Sequence, residues 1–402
     1  MIPFSPPRID QKIIDEVVAT LRSGWITTGP RTKLFEKRLA AYFQVPAVLC
    51  LNSATAGLEL MLRWYGVKEG DEVILPAYTY SATANVVMHC GAKPVFVDVG
   101  QDFNIDPEEI RKAIGPRTKV IMPVDFGGWP CDYARINRLV KENSILKLFN
   151  PSTPEQQSLG RILVLSDSAH SIGAVVNGQK AGSLTDISVF SFHAVKNLTT
   201  AEGGAVALNL PPPFDNLAIY QALCVKSLHG QNKDALAKMQ KGNWRYDIVE
   251  AGYKMNMTDI LAAIGLVELE RYDTDTLVRR KQICALYASA LKEKSWAILP
   301  LLSSADTESS YHLFALRIKG IQEEQRDRIM QKIFDQDVSV NVHFIPVPMM
   351  SFYKGLGYRI SDYPVTLSLY ENEISLPLFY DLTDDQVNTV IRALVNAVES
   401  EL

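Results

Sequence analysis

Short apolar runs alternate with amphipathic segments over the first two-thirds of the chain. The apolar runs are rich in Val, Ile and Leu, and most lack the apolar–polar alternation of half-buried strands, which is typical of strands covered on both faces. The segments between them, such as Thr55–Tyr65 and Asp106–Ile114, carry the amphipathic pattern of helices. Strands are predicted at Ala47–Leu51, Glu72–Leu75, Pro94–Val99, Lys119–Val124, Ile162–Leu165, Ile187–Phe192 and Gly204–Leu208.

This strand–helix alternation predicts an α/β fold with a mostly parallel, doubly wound sheet. In such sheets, ligand sites form at the carboxyl ends of the strands. The segment Asn150–Gly160 is polar and contains proline, so we expect it to be a surface loop insertion.

The pattern changes from about Met257, where a long helical run begins. Strands are predicted after it at Ser310–Ile318 and Val338–His343, and a helix at Asp384–Val398. We therefore expect a large domain over residues 1–256 and a smaller C-terminal α/β domain over residues 257–402, which includes the long connecting helix.

Composition excludes several classes of partner. The 402-residue chain has a net charge of −4 and no dense run of Lys or Arg, which argues against nucleic acid and anionic membranes as partners. No apolar stretch approaches the roughly 18 residues of a membrane-spanning helix, and the N-terminal residues lack a signal-peptide pattern. Five scattered cysteines without a C-x-x-C pair predict reduced thiols, no metal site and a cytoplasmic protein.

Three groups of polar residues follow predicted strands. The first is "LNSATAGLEL" (Leu51–Leu60), where a strand ends and a helix begins at about Ala54. Free amides at a helix N-terminus, with the hydroxyls of Ser53 and Thr55, can hold a phosphate. The alternative is a plain N-cap by Ser53, which is common.

The second group is "LVLSDSAHSIGA" (Leu163–Ala174). Asp167 follows an apolar strand, where a carboxylate is costly unless a positive group meets it. His170 lies three residues further on and could face the same crevice. The alternative is that Asp167 caps the next segment and His170 is a hydrogen-bonded core histidine.

The third group is "SVFSFHAVKNLTTAEGG" (Ser188–Gly204), which places Lys196 in a loop after a buried strand. A lysine surrounded by apolar groups has a lowered pKa and is a better nucleophile toward an aldehyde, although most lysines lie on solvated surfaces. Ser191 could offer a hydroxyl to the same ligand. A phosphate cradle, a carboxylate and an amine at neighbouring strand ends are the groups that pyridoxal phosphate requires.

Other enzyme classes lack their signatures in this sequence. No P-loop, G-x-G-x-x-G, H-E-x-x-H or G-x-S-x-G motif occurs, which disfavours nucleotide hydrolases, dehydrogenases, zinc proteases and serine hydrolases.

The sequence resembles the DegT/DnrJ/EryC1/StrS sugar aminotransferases, which have the aspartate-aminotransferase (type I) fold. Within that family, "GWITTGP", "SATAG", "FSFHAVKN" and "AEGG" most resemble the UDP-4-amino-4-deoxy-L-arabinose (4-keto sugar) aminotransferases. The resemblance extends nearly from end to end. It is carried by "GWITTGPRTKLFE", "NSATAG", "LPAYTYSATAN", "GAKPVFVDV", "PRTKVIMPV", "SDSAHSIGA", "FSFHAVKNLTTAEGG", "GYKMNMTDILAAIGL", "VHFIPV" and "SLPLFYDLT".

The resemblance implies a role for each matching residue. Lys196 would form the Schiff base with pyridoxal phosphate, Asp167 would keep the pyridine nitrogen protonated, and His170 would reach the phenolic oxygen. Tyr80 would stack on the pyridine ring. The phosphate would be held by Ser53, Ala54, Thr55 and Ser191, and by Lys254 of a partner subunit in a homodimer with shared active sites.

Two positions depart from the family pattern. Lys254 stands where many members have Asn, although the L-arabinose-type enzymes suggest that a lysine there can bind phosphate. Asp125 stands where a histidine is usual, which puts any role of that histidine in doubt.

The resemblance implies an aminotransferase that moves an amino group from glutamate, giving 2-oxoglutarate, to a nucleotide-linked keto sugar, with pyridoxamine phosphate as the intermediate cofactor form. The alternatives are a sugar 3-dehydratase, in which a histidine replaces the Schiff-base lysine, and a non-enzymatic regulator with the same fold. The sugar, its nucleotide and the choice between C3 and C4 stay open. Candidate substrate contacts are Trp25, Thr28, Tyr246 and His343, and packing is the alternative role for Trp25, Tyr246 and His343.

Overall fold

The computed structural model describes residues 1–233 and 245–402. A seven-stranded sheet forms the centre of the larger part, with strand order β1-β9-β8-β5-β4-β2-β3. A two-stranded ribbon, β6 and β7, lies outside it. The strands up to residue 208 are β1 (Ala47–Leu51), β2 (Glu72–Pro76), β3 (Lys93–Val97), β4 (Thr118–Ile121), β5 (Leu163–Asp167), β6 (Val175–Val176), β7 (Gln179–Lys180), β8 (Ile187–Ser191) and β9 (Gly204–Leu208).

The prediction of a mostly parallel sheet is confirmed. Strands β8, β5, β4, β2 and β3 are parallel, and β9 runs antiparallel to both of its neighbours, β1 and β8. Since β1 and β8 are both antiparallel to β9, they share one direction. The carboxyl ends of β1, β2, β4, β5 and β8 therefore meet at one edge of the sheet, and β9 begins at that edge.

Alternate residues of each strand enter two different cores, because successive side chains of a strand point to opposite faces. In β1, Leu49 packs with Leu58 on one face, and Val48 packs with Phe35 and Leu39 on the other. Helices cover both faces, which explains why the strands read as uninterrupted apolar runs. The helices of this part are Gln11–Arg22, Pro30–Phe43, Ala54–Trp64, Ser81–His89, Pro107–Ala113, Tyr133–Leu139, Asn143–Leu146, Pro154–Leu159 and Asn216–Lys226.

A smaller sheet and its helices form a separate core toward the C-terminus. Its strands are antiparallel in the order β10-β12-β13, and β11 pairs with β6 of the ribbon. The strands are β10 (Ala297–Ile298), β11 (Thr307–Glu308), β12 (Phe314–Ile318) and β13 (Glu373–Leu376). The helices after residue 256 are Asp259–Arg271, Leu277–Leu291, Glu323–Phe334, Ser351–Gly355, Pro364–Asn372 and Asp384–Glu399. Of these, Asp259–Arg271 packs on the helices Gln11–Arg22 and Pro30–Phe43 of the larger part.

The predicted strand at Val338–His343 is wrong. This segment makes only isolated bridges, from Val338 to Ile2 and from Asn341 to Ser375. The side chain of Asn341 accepts a hydrogen bond from the amide of Val342, and such local bonds compete with a strand ladder. Strand β13 takes the place in the sheet beside β12, and the sequence pattern did not predict it.

The predicted long helical run is interrupted by one π-helical turn, Tyr272–Thr276. Tyr272 is fully buried, and its hydroxyl donates to the carbonyl of Ile172 in the larger part at 2.7 Å. The predicted division at residues 256 and 257 stays a prediction. None of the helices in the described ranges is long and apolar enough to cross a membrane.

The segment Asn150–Gly160 is more than the surface loop that its polarity predicts. It contains the helix Pro154–Leu159, and Gln156 within that helix is fully buried. The side chain of Gln156 donates to the carbonyl of Tyr65 at 2.9 Å and accepts from the amide of Ser152 at 2.8 Å. A buried amide with both ends satisfied ties this segment to the sheet domain.

Candidate active site

A cleft of about 360 Å³ opens at the edge where the carboxyl ends of the parallel strands meet. This is the position at which open α/β sheets bind their ligands. Most of the site residues predicted from the sequence line it together. They are Ser53, Ala54, Thr55, Tyr80, Asp167, His170, Ser191, Lys196 and His343.

The helix Ala54–Trp64 begins directly after β1 and points its N-terminus into the cleft. Ser53 is its N-cap and accepts from the amide of Ala56 at 3.0 Å, so the capping interpretation is confirmed. The cap does not use the amides of Ala54 and Thr55, which are therefore open to an anion.

A glycine allows β9 to approach this helix end. A Cβ on Gly204 would lie 2.4 Å from the backbone nitrogen of Ala54 and 2.5 Å from the carbonyl carbon of Ser53. The close approach brings Gly203 and the nearly buried Ser191 to the same wall of the cleft. This cradle of amides and hydroxyls offers the groups that bind a phosphate in proteins.

Asp167 ends β5 and is 7 % exposed. Its Oδ2 accepts from Thr83 Oγ1 at 2.8 Å, and its Oδ1 accepts from the amide of Ala169 at 3.2 Å. Burial raises the pKa of Asp167, while the bonds from Thr83 and Ala169 and the charge of Lys196 oppose the rise. The site therefore holds a desolvated carboxylate whose natural counterpart is a cationic ligand group.

Lys196 lies in the loop between β8 and β9, where its amide donates to the carbonyl of His193 at 2.9 Å. Burial of the ammonium lowers the pKa of Lys196 to about 8, against an opposing effect of Asp167. Its side-chain nitrogen makes no hydrogen bond to the residues that the structure describes. An amine of this kind has a larger neutral, nucleophilic fraction than an ordinary lysine at the same pH.

His170 is 6 % exposed and forms another wall of the cleft. Its Nδ1 accepts from the amide of Gly127 at 3.2 Å, so the proton of the neutral ring is on Nε2. Burial, together with Lys196 and His343, keeps the pKa of His170 well below its ordinary value. His170 is therefore a neutral hydrogen-bond donor.

His312 is a site residue that the sequence reasoning missed. Its ring lies 4.2 Å from the ring of His170, and its Nδ1 is 2.8 Å from Asn197 Oδ1. The amide group of Asn197 donates to the carbonyl of Ser310 and to the hydroxyl of Tyr272, so its oxygen accepts the His312 proton. The only signal in the sequence was a histidine within an apolar strand segment, which is more often a core residue.

Two further polar residues escaped prediction as functional. Thr83, on the helix Ser81–His89, supports Asp167. Asp125 is fully buried and accepts from Cys131, Tyr133, Ser168 and Ser171, which fixes the loop that follows Asp167.

Tyr80 lies at the cleft with 62 % of its surface exposed, and its ring centroid is 5.8 Å from that of Phe344. An exposed aromatic ring at the mouth of a cleft can stack on a planar ligand.

The remaining predicted residues do not line the cleft of their own chain. Trp25 donates through Nε1 to the carbonyl of Thr28 at 3.2 Å and packs on Gly29, which agrees with a packing role. Thr28 donates to the carbonyl of Met257. The structure places Lys254, Trp25, Thr28 and Tyr246 outside the cleft, and Lys254 is exposed.

Comparison with known proteins agrees with this geometry. The sequence profile of the DegT/DnrJ/EryC1/StrS aminotransferase family matches residues 7–150 and 157–395. SpsC of Bacillus subtilis, a spore coat polysaccharide biosynthesis protein, is 36 % identical over 403 residues, which cover 99 % of this chain and 97 % of SpsC.

Two solved structures resemble the whole chain. Spr1654 of Streptococcus pneumoniae, assigned as a sugar aminotransferase, has a TM-score of 0.96 in its pyridoxamine phosphate form at 46 % identity, with both chains fully covered. Its pyridoxal phosphate form gives a TM-score of 0.94. PseC of Helicobacter pylori, an aminotransferase involved in the biosynthesis of pseudoaminic acid, has a TM-score of 0.86 at 26 % identity, with 99 % of each chain covered.

The free amides at the N-terminus of the helix Ala54–Trp64, the desolvated Asp167 and the amine of Lys196 fit pyridoxal phosphate, and the cofactor-bound forms of Spr1654 agree with that fit. The fold and the family match confirm the type I aminotransferase architecture. The chain belongs to the DegT/DnrJ/EryC1/StrS aminotransferase family and is a pyridoxal-phosphate-dependent transaminase.

Proposed function

We propose that the protein transfers an amino group from glutamate to a nucleotide-linked 4-keto sugar, with UDP as the nucleotide, and that the product serves cell-surface polysaccharide or lipopolysaccharide synthesis in the cytoplasm. The names of SpsC and PseC support a role in making surface sugars. The sequence motifs that resemble 4-keto sugar aminotransferases support the choice of position.

One observation carries the transaminase chemistry. Lys196, with its pKa lowered to about 8, and Asp167, desolvated at the end of β5, line the same cleft and interact electrostatically. A scaffold or regulator would have no use for an amine with a lowered pKa opposite a buried carboxylate. Perturbed groups of this kind concentrate at functional sites.

The residues present would hold the cofactor at three points. Ser53, Ala54, Thr55 and Ser191 would bind its phosphate, Asp167 would meet its ring nitrogen, and His170 would donate to its phenolic oxygen. When bound, pyridoxal phosphate supplies an electron sink for the carbanion formed at the amino-bearing carbon.

The protein's own groups would then move the protons. Lys196, whose pKa of about 8 makes its amine a base near physiological pH, would take a proton from one carbon and return it to another. Asp167 would keep the ring nitrogen protonated, because a desolvated carboxylate is stabilised by a positive charge beside it. His170, held neutral, adds a hydrogen bond without adding charge.

The active site would need a second chain. Lys254 is exposed, lies outside the cleft of its own protomer and forms a bridge with Leu228. Nearby Ile248 and Val249 are exposed apolar residues, which are typical of a protein interface. We therefore propose a twofold homodimer in which Lys254 reaches the phosphate site of the partner.

The direct test separates the two half-reactions. Purified enzyme loaded with pyridoxal phosphate is first given glutamate alone, and 2-oxoglutarate formation and loss of the visible absorption band are measured. It is then given UDP-, GDP- and dTDP-linked 3-keto and 4-keto sugars, and amino sugars are detected by mass. We expect 2-oxoglutarate in the first step and an amino sugar from a UDP-linked 4-keto substrate in the second.

Lys196→Ala should lower the first step by at least about a thousandfold, and Lys292→Ala, which replaces an exposed lysine outside the cleft, should leave it unchanged. Borohydride should fix the cofactor mass on the peptide that contains Lys196. A label on another lysine would show that the site is misassigned, and amination of only 3-keto sugars would refute the proposed position.

A further inference from the structure

A chain of three polar residues leads from the cleft into the interior of the smaller sheet. His343 lines the cleft, and its Nδ1 is 2.9 Å from Ser375 Oγ. Ser375 Oγ bonds to Glu373 Oε1, and Glu373 Oε2 accepts from the backbone amide of His343 at 3.0 Å. Glu373 and Ser375, both on β13, are fully buried.

The Ser375 hydroxyl has one proton and lies between two groups. When Glu373 is ionised, Ser375 donates to it, and His343 must then donate from Nδ1 to the serine oxygen. When Glu373 is protonated, it donates to Ser375, and the serine proton turns to Nδ1 of His343. A neutral imidazole has one N–H, so the second arrangement places the histidine proton on Nε2.

We propose that Glu373 and Ser375 select the tautomer of His343 and thereby set whether Nε2 donates or accepts a hydrogen bond in the cleft. Because Nδ1 is held by Ser375, Nε2 is the ring nitrogen available to a ligand, and it makes no hydrogen bond to the residues that the structure describes. The two states differ by one proton. Between the first state and the second, the carboxylate of Glu373 gains a proton. His343 gains a proton at Nε2 and loses one at Nδ1, so the net change is one proton.

The groups around His343 keep it neutral in both states. Lys196 and His170 are its charged and titratable neighbours in the cleft, with His312 packed behind His170. Burial, with a contribution from Lys196, lowers the pKa of His343 to about 3. The imidazole therefore changes its tautomer rather than its charge over the physiological pH range.

Burial raises the pKa of Glu373 to about 8. Its carboxyl group therefore gains or loses a proton near neutral pH, as the proposed change of the His343 tautomer requires. The bonds from Ser375 and from the His343 amide oppose the rise, as does Arg326, whose guanidinium also pairs with Asp327 at 2.6 Å. Tyr78 also interacts with Glu373, and burial holds its pKa well above the ordinary value, so it adds no charge. Arg317, the partner of Glu373 on β12, donates to the side chain of Gln101 at 3.0 Å. We therefore expect an Nε2 donor below about pH 8 and an Nε2 acceptor above it.

What the tautomer of His343 implies for the choice of substrate rests on the proposed function. At neutral pH, an Nε2–H group fits an oxygen acceptor of the sugar substrate, such as a carbonyl or phosphate oxygen, and disfavours a ligand that presents a hydroxyl only as a donor. Glu373 and Ser375 are then positioning residues that act through His343.

The test reads the tautomer directly. The holoenzyme is labelled with ¹⁵N-histidine, and the ring nitrogens of the six histidines are followed by NMR from about pH 6 to about pH 10, with His343→Asn used to assign one set of signals. We expect the proton of His343 to move from Nε2 to Nδ1 with a midpoint near pH 8. His170 and His312 serve as internal controls, because Gly127 and Asn197 fix their tautomers.

Two variants test whether Glu373 and Ser375 set the tautomer of His343 or only stabilise the fold. Glu373→Gln should hold His343 in the Nε2–H form at every pH, because the amide donates to Ser375 in place of the titrating acid. Ser375→Ala should remove the midpoint near pH 8 from the His343 signals. If either variant does not fold, as judged by circular dichroism, the other still decides.

A single tautomer of His343 over the whole pH range in the wild-type protein would overturn the proposal. An unchanged midpoint in Ser375→Ala or in Glu373→Gln would do the same. Because this measurement needs no substrate, its failure leaves the aminotransferase assignment standing. A normal tautomer switch in a protein that aminates no keto sugar would instead refute the proposed function alone.

Discussion

Thr83 Oγ1 donates a 2.8 Å hydrogen bond to Oδ2 of Asp167 and lies 3.0 Å from Thr79 Oγ1. Because the single proton of Thr83 goes to the carboxylate, Thr79 must donate to Thr83. Two buried hydroxyls in series therefore stabilise the ionised form of Asp167. This support comes from Thr79 and from Thr83 of the helix Ser81–His89, far from Asp167 in sequence.

The first prediction concerns that support. Thr83→Ala removes a hydrogen bond to the charged form of Asp167, so the pKa of Asp167 should rise. The acid limb of the kcat/KM–pH profile should then move to higher pH, and kcat should fall about tenfold, in line with about 1.5 kcal/mol for a bond to a charged group. Thr83→Ser keeps the hydroxyl and should restore both values. An unshifted profile in Thr83→Ala would contradict this role.

The second prediction concerns Asp167 itself. Asp167→Asn keeps the size of the side chain and removes the charge expected to hold the ring proton of the cofactor. Turnover should fall by orders of magnitude while the protein still binds pyridoxal phosphate. Cofactor content, measured after release in alkali, is the control that separates lost chemistry from lost binding. Near-normal turnover would mean that another residue has this role.

The third prediction uses the lowered pKa of Lys196. Only the neutral amine attacks an aldehyde, and the neutral fraction grows as pH rises through the pKa. The rate at which cofactor-free enzyme captures pyridoxal phosphate should therefore rise with pH around a midpoint near 8, well below that of an ordinary lysine. Stopped-flow absorbance measures this rate. A midpoint near 10 would show that burial does not act on Lys196 as argued.

The fourth prediction concerns the shared site. Lys196→Ala and Lys254→Glu should each be inactive as homodimers. If Lys254 serves the partner's site, a mixed dimer has one site with both defects and one with neither, so mixing should restore activity. Subunit exchange is verified by mass spectrometry with one labelled variant. Proven exchange without recovered activity would rule out the shared site.

The fifth prediction concerns the segment around Gln156. Gln156→Ala leaves the buried carbonyl of Tyr65 and the amide of Ser152 without this partner, and should lower the free energy of unfolding by about 1–3 kcal/mol. Gln157→Ala, next to it on the same helix but exposed, is the matched control and should change stability little. Urea denaturation measures both. Equal effects would show that the segment is a dispensable surface loop.

The sequence predicted much of this protein because its strongest signals are local. Uninterrupted Val, Ile and Leu runs identify strands that helices cover on both faces, and all seven strands of the large sheet were found in this way. Because ligand sites in such sheets form at the carboxyl ends of the strands, the sequence also predicted that Ser53, Asp167 and Ser191 lie at one edge. The structure brings these three residues into one cleft.

Other features depend on contacts between distant parts of the chain, which no local pattern contains. Val338–His343 has the composition of a strand, yet its neighbours allow only isolated bridges, and the polar Gln156 is buried because Tyr65 offers it a partner. The hydrogen bond from Thr83 to Asp167, the pairing of His170 with His312, and the chain from His343 to Glu373 arise only when separate elements pack. Hydrophobic periodicity determines which elements form, whereas the desolvation and hydrogen bonding that tune each functional group are set by the tertiary structure.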